Sequence, residues 1–116
     1  MNIEEFRQYC LKMKGVTEEF PFGGDVLVFK VMGKMFALTV LNTEFTVNLK
    51  CDPELAIELR EEYSAVTPGY HMSKKHWNTI VCSEVPLKKL QEWIDHSYTL
   101  VLNSLTKKVK DQYNSL

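Results

Sequence analysis

The chain has too few cysteines and too little surplus charge for either to name its chemistry. Cys10, Cys51 and Cys82 are an odd number with no close pair, which excludes a disulfide framework and the CxxC spacing of metal and redox sites. They read as small buried hydrophobes, and a reducing cytoplasm is the natural setting. Arginine occurs only at Arg7 and Arg60, and 14 Lys plus Arg against 15 Asp plus Glu leave a formal net charge of −1. Nothing global therefore draws the chain to nucleic acid or anionic lipid, and any basic surface must be local. No apolar run nears the roughly 20 residues of a membrane span. The start, MNIEEFRQYC, is acidic and amphipathic where an export signal is basic and then continuously apolar. GxSxG is also missing, and FGGD at 22–25 leads into a strand, whereas a phosphate loop leads out of one. The expectation is a protein that is not an enzyme and carries no cofactor.

What is present is ordinary globular material, 45% hydrophobic and 25% charged over 116 residues, enough for a single domain spanning 1–116. Ile3, Phe6, Cys10 and Met13 recur at helical spacing after Asn2, a good N-cap with Glu5 three positions on, and Gly15 supplies a stop. The segment TEEFPFGGD reads as a loop. Residues 26–32 and 35–41 are β-prone runs separated by Gly33 and Lys34, a hairpin, and Phe45, Val47 and Leu49 alternate with polar residues in a third strand. Asp52 and Pro53 open a second helix, lined by Leu55, Leu59 and Tyr63, that ends near Ser64. Beyond Pro68 and Gly69, YHM and WNTIVC predict a second hairpin turning at Ser73, Lys74, Lys75 and His76. From Pro86 a stripe of Leu87, Leu90, Ile94, Ser97, Tyr98, Val101 and Leu105 predicts a long last helix before a polar tail. The fold class is α+β: helix, three-stranded antiparallel meander, helix, β-hairpin, long C-terminal helix, with the helices on one sheet face.

Strict alternation places Leu27, Phe29, Val31, Phe36, Leu38, Val40, Phe45, Val47 and Leu49 toward the helices. It sends Val28, Lys30, Met35, Ala37, Thr39, Thr46, Asn48 and Lys50 to a mixed outer face. That face suits a phosphate backbone or an extended peptide, and it equally suits plain solvent.

The block PGYHMSKKHWNTI at 68–80 is the most distinctive stretch. With EEFPFG at 18–23, FKVMGKMFAL at 29–38 and LQEWIDHSYTLVLNSLTKK near the end, it resembles the MmcQ/YjbR family of small bacterial proteins, over nearly the whole chain. The resemblance implies a CyaY-like α+β fold and a double-wing DNA-binding surface of two β-hairpins. The residues give that implication some content. Lys34 and the group Lys74, Lys75 and His76 fall in the two turns, with Lys30 and Lys50 on the sheet between them, as phosphate contacts require. Trp77 is a candidate for base stacking and Asn78 for base hydrogen bonds, but no arginine is placed to read guanine, so binding is expected to be weak and largely sequence-independent. The same lysines fit solvated turns, with Trp77 in the core and Asn78 supporting a turn. The alternative is a protein- or peptide-binding module using the open sheet face or an edge.

A metal site is not expected. His71 and His76 lie five apart, on opposite faces of a continuous strand, and no second tight ligand pair follows. His96 and Asp95 are adjacent in a helix and point different ways.

Overall fold

Asn2 starts the first helix, α1 (Ile3–Leu11), with both halves of a capping box: its side chain accepts from the Glu5 N–H, and the Glu5 carboxylate accepts from the Asn2 N–H. Phe6 and Cys10, one turn apart, are the residues it buries completely. The structure, a computed structural model, describes residues 1–69 and 72–116.

Six strands follow the helix in one antiparallel sheet: β1 (Val16–Glu19), β2 (Val26–Val31), β3 (Lys34–Val40), β4 (Thr46–Lys50), β5 (Val66–Pro68) and β6 (Trp77–Val81). Their spatial order is β1-β2-β3-β4-β6-β5. Helix α2 (Pro53–Glu62) lies between β4 and β5 in sequence, and α3 (Leu87–Asn103) and α4 (Lys107–Asn114) complete the chain. The α+β class and the positions of the first three helices agree with the sequence expectation. No helix among the described residues is long and apolar enough to cross a membrane.

Four details differ from that expectation, each for a local reason. The meander has a fourth strand, β1, inside the segment read as a loop. Its acidic residues are held by ion pairs: Arg7 of α1 grips Glu18 through Nε and Nη2, both at 2.6 Å, and Lys30 of β2 reaches Glu19 at 3.3 Å. The first hairpin turns at Met32 and Gly33, both with positive φ as a two-residue primed turn requires, so Lys34 already belongs to β3. In the second hairpin the first described strand is Val66–Pro68; of the expected YHM strand, Tyr70 and His71 lie outside the described residues and Met72 is in the connecting loop. An edge strand tolerates Pro68, and the Gly69 N–H still bonds the Trp77 carbonyl at 2.8 Å. The chain passes so close there that a Cβ on Gly69 would stand 2.8 Å from that of Trp77. The polar tail folds as α4, capped by Thr106 and moored by Tyr113, whose hydroxyl bonds that of Tyr98 at 2.8 Å.

The largest departure concerns which side chains face the helices. Between β2 and β3 the register shifts: Phe29 pairs with Ala37 and Lys30 with Met35, leaving Phe36 as an extra residue, a β-bulge. Phe36 and Ala37 both turn into the core, Phe36 meeting the Tyr98 ring edge-on at 5.5 Å. Beyond the bulge the alternation is inverted. Thr39, partner of Leu27 and Val47, is buried on the helix side with its hydroxyl on the Thr46 carbonyl, while Leu38 and Val40 turn to the open side. Ser97 of α3 stitches the irregularity, donating to the Phe36 carbonyl and accepting from the Lys50 N–H at 2.9 Å.

Replacing Ser97 by alanine strands both backbone groups in the interior, and we expect a loss of about 2–4 kcal/mol in urea-unfolding stability. A loss below about 0.5 kcal/mol, the range of ordinary surface substitutions, would show that the stitch is dispensable.

Candidate functional site

The pairing register decides where the basic residues go. Val31 faces Lys34 at the end of the first hairpin, Lys50 faces Trp77 where β4 ends and β6 begins, and Pro68 faces Asn78. Since β3, β4, β6 and β5 alternate in direction, the Met32–Gly33 turn and the 69–76 connection open at the same end of the sheet, with the end of β4 between them. At about 4.8 Å per strand, the axes of the two hairpins are about 14 Å apart. Lys34, Lys74 and Lys75 are exposed there, and Lys50 is half-buried. None of the four has a carboxylate within 4.0 Å among the described residues.

The lysines share an end rather than a face. Lys30 and Lys50 belong to the open side, whereas Lys34, opposite core-facing Val31, belongs to the helix side. Lys30 is also offset by Glu19, at 3.3 Å. Asp52 and Glu54, in the capped start of α2, stand at the same end and reduce its positive surplus.

Trp77 and Asn78 are not placed as base readers. Trp77 is 9% exposed and Asn78 2%, and as neighbours on β6 they point to opposite sides. Asn78 shares the helix side with Leu49. Its Oδ1 accepts from Arg60 Nε at 2.7 Å, and its Nδ2 is buried with no partner among the described residues. His76 is half-buried, its carbonyl accepting from the Cys51 N–H at 2.8 Å.

Arg60 is the functional residue that sequence reading passed over. Its guanidinium bonds the Lys74 and Trp77 carbonyls as well as Asn78, so one side chain of α2 pins the loop that carries Lys74 and Lys75. The only sequence signal was a lone arginine in an otherwise acidic helix.

On the open side, the bulge gathers apolar residues. Val26, Met35, Leu38, Val40 and Trp77 line a cleft of about 430 Å³, bounded by Phe22 from the β1–β2 loop and by Met72 and Ser73 from the β5–β6 loop. Asn48 also lines it, accepting the Thr79 hydroxyl. The volume lies in the range of small-molecule sites. Sequence reading missed it because strict alternation put Leu38 and Val40 on the wrong side.

His96 accepts the Asp52 N–H at 3.2 Å, tying α3 to the start of α2, and His71 lies outside the described residues. Among the described residues no three His, Cys, Asp or Glu side chains converge as a metal site needs. Burial pushes the Cys82 thiol up to about 12 and Cys51 to about 11, and Cys10 higher still.

This fold matches known proteins. A family model described as YjbR matches residues 11–100. The chain is 35% identical to YbdF of Escherichia coli over 107 residues, covering 90% of this chain and 88% of that one. It is 32% identical to YjbR of Escherichia coli over 107 residues, covering 90% and 91%. Among solved structures, Deinococcus radiodurans protein DR2400, with a DUF419 domain, superposes with a TM-score of 0.92 at 35% identity, covering 97% of this chain and 88% of that one. A Pseudomonas syringae protein gives a TM-score of 0.76 at 28% identity, covering 86% and 98%. The protein is an α+β domain with an open-faced antiparallel sheet. It belongs to the YjbR family.

Two outcomes follow from this geometry. Arg60→Ala should speed hydrogen exchange at the amides of residues 74–78 while leaving those of β2 and β3 unchanged; unchanged exchange at 74–78 would show that the guanidinium does not hold the loop. The thiols set a pH dependence. In the unfolded chain they ionise near pH 9, whereas burial keeps them protonated in the fold, so their stabilising contribution is complete below about pH 9 and is lost as the pH rises through the folded values. Urea midpoints should therefore fall between about pH 9 and about pH 11. A flat profile, or a rise, would contradict the burial of the thiols.

Proposed function

We propose that the protein binds duplex DNA weakly and without sequence preference, through phosphate contacts from the lysines at the two-hairpin end of the sheet, and that it acts as a binding protein without catalysis of its own. The reading rests on one observation: the register brings the Met32–Gly33 turn and the 69–76 connection to the same sheet end, where Lys34, Lys50, Lys74 and Lys75 outnumber the carboxylates Asp52 and Glu54. Phosphate contacts position a protein on a duplex but carry no sequence information, and with Trp77 and Asn78 both buried no base reader remains among the residues singled out. The alternative partner, an extended peptide added to a sheet edge, finds little at β5, which has three residues and ends on Pro68.

Fluorescence anisotropy with a labelled duplex of mixed sequence tests this reading. We expect binding at low salt that falls with a log–log slope between about −2 and −4, as two to four displaced counterions require. The triple change Lys34→Glu, Lys74→Glu and Lys75→Glu should abolish it, while Lys108→Glu, on α4, should not. No binding at low salt, or an equal loss in both variants, would overturn it.

A further inference from the structure

The open-face cleft is a second feature, separate from the hairpin tips. Its floor is made by central strands whose backbone groups are already paired on both sides, so an extended peptide laid there would find no main-chain hydrogen bonds; strand addition needs an edge. The two flanking loops, through Phe22 and through Met72 and Ser73, bound it instead to a half-open groove of about 430 Å³, the size of a small molecule.

Its lining is apolar except for Ser73 at the edge and Asn48 on the floor. Asn48 commits its Oδ1 to the Thr79 hydroxyl, which leaves its amide N–H groups as the donors of that side chain. Lys50 lies two residues along the same strand and on the same side as Asn48, and is the cross-strand partner of Trp77. Its ammonium has no carboxylate within 4.0 Å among the described residues. A half-open, mostly apolar groove with amide donors on its floor, and a cation two residues along the strand that carries them, complements a molecule with an apolar body and a terminal anionic acceptor.

We infer that the cleft binds a small amphipathic carboxylic acid, its hydrocarbon or ring against Leu38, Val40, Met35 and Trp77, and its carboxylate toward Asn48 and Lys50. The site shares only Lys50 with the DNA reading and stands whether or not that reading holds.

The experiment is a methyl and indole NMR titration of the unaltered protein with decanoate and, separately, decanol. Saturable shifts confined to Val26, Leu38, Val40 and Trp77 are expected, with decanoate about tenfold tighter, the worth of one charge-assisted hydrogen bond. Lys50→Gln should remove that preference without disturbing signals of the helix-side core, and the triple lysine-to-glutamate variant at the tips should retain it. Absent or scattered shifts, equal affinity for acid and alcohol in the unaltered protein, or occupation of the cleft by an extended peptide with no response to decanoate would overturn the assignment.

Discussion

One extra residue in β3 organises the molecule. A strand pairs its side chains in strict alternation, so the unpaired Phe36 forces a choice: either the ladder ends or the faces exchange. The faces exchange because the interior rewards it. Phe36 gains the Tyr98 ring, Ala37 takes the next inward position between Phe29 and Leu49, and Ser97 bonds the two backbone groups that the irregular pairing would leave unsatisfied. A serine on the buried stripe of a helix, otherwise out of place, is explained by this bond.

The consequences are felt on both sides of the sheet. Toward the helices, Thr39 occupies a position that would suit an aliphatic residue and satisfies itself on the Thr46 carbonyl. Away from them, Leu38 and Val40 join Val26, Met35 and Trp77, so a surface that alternation makes half polar becomes an apolar cleft. The sheet end is independent of this exchange. It is set by strand directions, which bring both hairpin tips together whatever the side chains do, and by Arg60, which fastens the longer tip to α2. The molecule therefore carries two separable surfaces, a cationic end and an apolar face, meeting at Lys50.

Much of this fold is legible in the chain itself because the signals are local. Asn2 with Glu5, Asp52 with Pro53, and the stripe through Leu90, Ile94, Ser97 and Val101 each define a helix from neighbours in sequence. β1 is hidden because its stability comes from partners elsewhere, Arg7 and Lys30, and its own residues are acidic. α4 is hidden because its mooring is Tyr113, whose partners Tyr98 and Lys14 are remote in sequence. For the site, lysines at turns are visible from sequence, since turn position and exposure go together. The burial of Trp77 and Asn78 is not, because it depends on Gly69 passing against one and Arg60 reaching the other. A bulge leaves no mark in a run such as MFALTV, where either parity buries enough apolar surface, and only the packed helix decides between them.

The most direct test of this account is the position of the Leu38 methyls in solution, measured by cross-strand nuclear Overhauser contacts. The inverted alternation places them beside Val28 and Asn48 on the open face. Contacts to Ile94 and Trp93 of α3 instead would mean that β3 runs in unbroken register, and the cleft would not exist.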